Sequence, residues 1–187
     1  MKTKEIVIGA MLTAFSILIP VAFGNYLRIL IPPFSATLAS HVPVMIAMMI
    51  SPAVAIIVGV GSGLGFLLAY GAGPVGLMIS ARAFSHAIWA YTGAVMIRRG
   101  QSFGKAIAVT SVLHALLEAL VVYLMFIIFG IPVTQGSGVS GESLTTLSVM
   151  GIILLGTLLH HVVQTVLHRA LAQTEHADVA RNDAAAR

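Results

Sequence analysis

The chain alternates long apolar runs with short polar breaks, and the runs recur on the length scale of a bilayer. About twenty apolar residues, rising 1.5 Å each as a helix, cross a hydrocarbon core. The first run is 6–23. NYLRILIPPF follows at 25–34, where Arg28 and Pro32-Pro33 predict a structured loop or re-entrant segment, since proline breaks a helix interior. A helix over 36–50, a minimal Ser51-Pro52 turn and a span over 53–70 come next. GAGPVG at 71–76 is a turn cluster. A fourth span over 76–97 ends at RRGQSFGK, and a fifth covers 106–129. The polar loop GIPVTQGSGVSGES at 130–143 leads to a sixth span, 144–167. From 172 the polar, small-residue-rich AQTEHADVARNDAAAR predicts a disordered tail, leaving 1–171 as one membrane domain.

This pattern predicts an all-α integral membrane protein, a six-transmembrane-helix bundle. Even parity puts both termini on one side, with Lys2, Lys4, Arg98, Arg99, Lys105 and Arg169. The other side holds Arg28 and Glu142, so the excess of Lys and Arg makes both termini cytoplasmic. Ala22-Phe23-Gly24 loosely resembles a signal-peptide cleavage site, but that parity needs the first helix retained.

Composition agrees with the pattern. Hydrophobic residues make up 58% and charged residues 9%, against about 25% charged in soluble domains; mean hydropathy is +1.01. The net charge of +4 does not imply nucleic acid, because the basic residues flank apolar runs and form no stripe with interleaved aromatics. The absence of cysteine excludes disulfides and thiolate chemistry.

Candidate chemistry lies where lipid is expected. An Arg or Asp at mid-bilayer costs about 2.5–3.5 kcal/mol on insertion scales, so such residues mark buried, functional positions. On the fourth span Arg82, His86 and Trp89 follow i, i+4, i+7, with Ser85 at the border of that face. Ser111, His114 and Glu118 share a face of the fifth, and Thr157, His161, Gln164 and His168 a face of the sixth. At 1.5 Å per residue, Arg82, His86 and Glu118 lie roughly 9, 15 and 16 Å below the external surface, so they share the outer half of the membrane. His161 and Gln164 are placed in the inner half, where histidines near a helix end suit the dipole and act structurally.

Two readings of Arg82 stay open: an ion pair with Glu118 that ties two helices together, or a ligand site. Trp89 and Tyr91 read most simply as packing residues, although an aromatic beside a cation suits a flat ring. The glycines of GVGSGLG at 59–65 predict close helix packing and no nucleotide site. No metal site is expected: HExxH is absent, and His160 and His161 point about 100° apart around a helix. No GxSxG marks a serine nucleophile, and no cofactor is expected.

A chain of this size with six spans, an Ala10-x-x-x-Ala14 pair early in the first helix and a long first loop into LIPPFSATLASHVP resembles the substrate-binding S components of energy-coupling factor vitamin transporters. The resemblance covers nearly the whole chain. It implies a multi-pass protein of the bacterial cytoplasmic membrane, not itself an enzyme, that captures a micronutrient from outside with high affinity. Its implied partners are a transmembrane coupling subunit and two ABC ATPase subunits, docked on Ala10 and Ala14. The loop around 26–34, with Tyr26, would cap a pocket lined by the outer halves of the last three helices. MKTKEIVIG lacks the histidines of the nickel and cobalt members, and PPFSATLASHVP looks most like the niacin subgroup. A small aromatic acid suits Arg82, His86 and Trp89, because guanidinium pairs bidentately with carboxylate. Glu118 or His114 would then address a ring nitrogen, with His41 also in reach. Thiamine precursors, pyridoxine-like rings and queuosine precursors stay open as substrates. A proton-coupled secondary carrier and, more remotely, an intramembrane hydrolase are the other function classes.

Overall fold

The computed structural model describes residues 2–31, 34–130 and 146–185. Among them the chain forms seven helices and one β-hairpin. Helix α1 (Thr3–Leu27) leads into strands β1 (Arg28–Ile31) and β2 (Phe34–Thr37); α2 (Val42–Ile50) and α3 (Pro52–Tyr70) follow. Then come α4 (Pro74–Phe84), α5 (His86–Arg98), α6 (Phe103–Phe129) and α7 (Thr146–Ala185). Pro32-Pro33 and the predicted loop at 131–143, including Glu142, lie outside the described residues. Gly130 closes α6 in a left-handed conformation at φ 62°, which glycine adopts without a Cβ penalty.

The structure revises the predicted elements in four places. The loop after α1 is an antiparallel hairpin, in which Arg28 opposes Thr37 and Ile29 opposes Ala36. Because 34–37 pairs as a strand, the second helix starts at Val42 rather than at 36. Ala39, at φ 67°, turns the chain between them. The fourth span is not one helix: its ladder breaks at Ser85, where Ser85 N–H donates to Arg82 O and Ile88 N–H to Ser85 O, both i to i−3. The last helix continues through 172–185, where disorder was expected; alanine, abundant there, is the strongest helix former.

The glycines of α3 explain how the bundle closes. Gly59 and Gly63 face the α4–α5 break, and Gly61 and Gly65 face α1. A Cβ on Gly59 would lie 2.5 Å from the backbone of Ala87, and one on Gly65 would lie 2.6 Å from Ile17 Cα. Both helices therefore approach backbone to backbone, and the side-chain-free surface read at 59–65 is internal packing. On α1 the matching face is Gly9, Leu12, Ser16, Pro20 and Gly24, all buried.

Among the described residues four helices are long and apolar enough to cross a membrane: α1, α3, α6 and the 150–170 part of α7. With nine residues, α2 falls short alone, as do α4 with eleven and α5 with thirteen. Large apolar side chains point outward along the long helices, among them Ile6, Phe15, Leu116, Leu159 and Val166. Polar ones such as His114, Thr157, His161 and Gln164 are buried. This inside-out distribution is that of a bundle solvated by lipid.

Inside, the molecule is layered. Towards the end that holds Lys2, the Ser51 turn and Arg98, an apolar core packs Met45 and Met48 of α2 against Val54 and Val58 of α3 and Trp89 and Ala90 of α5. A layer of buried imidazoles lies next to this core, and an open cavity lies beyond it.

Candidate functional site

The cavity forms where the hairpin meets the C-terminal end of α3 and the facing parts of α4 and α6. Its enclosed volume is about 40 Å³, widening to about 450 Å³ when the solvent-open mouth is counted. Arg82 and Glu118 form one wall, Phe66 and Tyr70 of α3 another, and Arg28, Thr37 and Ser40 of the hairpin region a third. His41, His86 and His160 border it.

Arg82 lies in the last turn of α4, just before the break, and is held by α6. Its Nη2 donates to Glu118 Oε2 at 2.7 Å, with both side chains 8% exposed. Thr157 Oγ1 of α7 donates to the same oxygen at 2.6 Å. Glu118 thus ties α4, α6 and α7 together. The Nε donor of Arg82 is buried and has no hydrogen-bond partner among the described residues. Arg28 sits over the Tyr70 ring, 5.5 Å from its centroid, in cation–π geometry. The wall therefore carries two guanidinium cations and one carboxylate.

The imidazole layer is knitted by paired ring nitrogens. His86 Nδ1 lies 2.9 Å from Ser62 Oγ, and His86 Nε2 lies 3.2 Å from His41 Nε2. His114 Nδ1 and His161 Nδ1 are 3.2 Å apart. The His41 ring centroid is 4.6 Å from that of His160 and 4.7 Å from that of His114. Trp89 backs the layer, fully buried, 5.2 Å from His114 and 5.0 Å from His161 between centroids.

Of the residues singled out in the sequence, Arg82, His86, Glu118 and His41 reach the cavity. His114 and Trp89 sit behind it and do not line it. Tyr26 is 86% exposed at the end of α1 and does not line it either. Ala10 and Ala14 are exposed on α1, away from the face packed on α3.

The separation of His161 and Gln164 into another layer is corrected. His161 joins the imidazoles, and Gln164 Nε2 donates to Thr37 O at 3.5 Å, linking α7 to the hairpin. Their depth follows from the helix ends: His114 is fifteen residues from Phe129, and His161 fifteen from Thr146. The antiparallel helices thus bring the two rings to one level. His168 remains apart, packed against Phe103 at 5.2 Å between ring centroids. The sequence reading put Arg28 in the loop over the pocket without a role of its own, and missed Thr37, Ser40, Phe66, Tyr70 and His160 as cavity residues. Arg28, a cation within an apolar hairpin, was the available signal.

No family model matches the chain, and no solved structure matches it. It is 32% identical over 169 residues to the niacin transporter NiaX of Lactococcus lactis subsp. cremoris (strain MG1363), covering 87% of this chain and 70% of that protein. The chain belongs to the NiaX family. It is therefore a multi-pass transport protein of a bacterial membrane and not an enzyme. Membership agrees with the resemblance to the niacin subgroup of S components, and it leaves the intramembrane hydrolase without support.

Proposed function

We propose that the chain is the niacin-binding S component of an ATP-driven energy-coupling factor importer, and that its cavity takes nicotinate as the carboxylate. One observation carries the ligand reading: a cavity in a NiaX-family chain whose wall sets Arg82 and Arg28 against the single carboxylate of Glu118. A site with an excess of guanidinium suits an anion, and the free Nε donor of Arg82 adds a directed contact. Phe66 and Tyr70 offer an aromatic wall to a pyridine ring, while Thr37, Ser40 and His160 are near enough to the cavity to address its nitrogen.

In this reading six spans cross the bilayer, with α2 and its approach as the second and α4–α5 as the broken fourth. Both termini are cytoplasmic and the cavity opens outward. Glu118 then serves both roles left open for the ion pair: it fixes Arg82 by one terminal nitrogen and leaves the rest of the guanidinium for substrate. The exposed Ala10 and Ala14 present a small-residue face to a transmembrane coupling subunit that carries two ABC ATPases.

The test is binding and co-purification together. The purified chain binds radiolabelled nicotinate saturably, and affinity capture from its native membrane brings down a coupling subunit and ATPases. Uptake that persists without any ATPase and collapses with the proton gradient would refute the energy-coupling reading in favour of a secondary carrier.

A further inference from the structure

The imidazole layer is more than a hydrophobic core with polar spots. His41 precedes α2, His114 lies on α6 and His161 on α7, and each is 3% exposed or less. One nitrogen from each of the three lies within 4.8 Å of the others. A neutral imidazole has one donor and one acceptor nitrogen, and both need partners when buried. Yet His41 Nδ1 and His161 Nε2 have no hydrogen bond among the described residues, and His114 Nε2 meets only the Glu118 carboxylate, at 3.4 Å.

We propose that His41, His114 and His161 bind a divalent transition-metal ion, Zn2+ or a borderline ion such as Co2+ or Ni2+. Imidazole suits these ions, whereas Mg2+ and Ca2+ demand oxygen ligands. Zn–N bonds of about 2.0–2.1 Å put ligand nitrogens of a tetrahedral ion about 3.3–3.4 Å apart. His114 Nδ1 and His161 Nδ1, at 3.2 Å, already stand at that separation. With the ion on that side of both rings, His114 Nε2 is left facing Glu118 Oε1 at 3.4 Å. Oε1 is the carboxylate oxygen that neither Arg82 nor Thr157 uses. A ligating histidine that donates its other N–H to a carboxylate is the usual outer-shell arrangement at zinc. The rings are held by three different elements, so the ion would tie α2, α6 and α7 together directly beside the cavity wall. This site stands on its own geometry and does not depend on which small molecule the cavity takes.

The experiment uses the full chain in detergent, with any affinity tag removed, stripped by EDTA and titrated with Co2+ in the absence of nicotinate. The proposal expects one Co2+ per chain, with the intense visible d–d absorption of a four-coordinate site built on three imidazole nitrogens and a solvent ligand, displaced stoichiometrically by Zn2+. His114→Asn and His161→Asn should each weaken binding at least 100-fold, and Glu118→Gln about 10-fold or more. His168→Asn, outside the cluster, should leave it unchanged. Absence of saturable Co2+ or Zn2+ binding to the parent chain overturns the proposal, whether or not the variants fold, and leaves His114 and His161 as a metal-free hydrogen-bonded pair. Undiminished binding in folded His114→Asn and His161→Asn overturns it equally. Nicotinate binding, measured separately, is free to succeed or fail without bearing on this result.

Discussion

Arg82 and Glu118 meet at 2.7 Å inside the bundle, and Thr157 completes the carboxylate oxygen they share. Breaking a buried pair by removing one partner costs about 3–5 kcal/mol, because the other charge stays unpaired, whereas replacing both by apolar groups is often near neutral. Glu118→Leu should therefore lower thermal stability in detergent steeply. Arg82→Met/Glu118→Leu should recover most of the loss, yet bind no nicotinate. Recovery of binding in the double variant would mean that the pair is structural only.

The hairpin and α3, not the end of α1, supply the rim of the cavity. Tyr26→Ala should leave nicotinate affinity within about twofold of the parent, since Tyr26 is solvent-facing and exposed substitutions rarely exceed about 0.5 kcal/mol. Arg28→Ala and Tyr70→Ala should weaken it about tenfold, by removing a cation and its aromatic platform. Isothermal titration of the three variants checks the contrast.

Close approach at Gly59 leaves no room for a side chain. Gly59→Val would push a Cβ and two methyls into the backbone of Ala87, and overpacking of this kind costs about 1–3 kcal/mol or more. The melting temperature and the monodisperse yield should both fall. Gly73→Ala, where a Cβ would meet nothing within 4 Å, is the matched control and should behave like the parent.

The exposed alanines of α1 separate binding from coupling. Ala10→Trp and Ala14→Trp alter positions that are exposed on α1 among the described residues, so nicotinate affinity and melting temperature should stay unchanged. Uptake and capture of the ATPase partners should be lost. Uptake at the parent's rate in both variants would move the docking surface elsewhere.

Much of this was legible in the sequence, for identifiable reasons. Apolar runs gave away the long helices, because a lipid-solvated helix must be apolar outside. The spacing singled out Arg82, His86 and Trp89, all of which are buried, and a shared outer half of the membrane let Arg82 meet Glu118. What escaped was long-range. The break at Ser85 lies where Gly59 lets α3 come close to the backbone of Ala87, an approach of distant positions that no local propensity announces. The hairpin pairing Arg28 with Thr37 lies in a segment whose two prolines obscure the strand pattern. His161 shares a level with His114 only because α6 and α7 run antiparallel, each ring lying fifteen residues from its helix end, a match that neither stripe shows alone. The cluster of imidazoles is a property of the assembled bundle, invisible in any single stripe.

The central claim is that Arg82 receives a carboxylate, and the most direct measurement compares nicotinate with nicotinamide by isothermal titration on the parent chain and on Arg82→Ala. The two ligands share ring and shape and differ in charge. The parent should prefer nicotinate by about 100-fold or more, and Arg82→Ala should lose most of that preference, since truncating one side of a buried charge pair costs about 2–5 kcal/mol. Equal affinity for the two ligands in the parent, or an unchanged preference in a folded Arg82→Ala, would contradict the account.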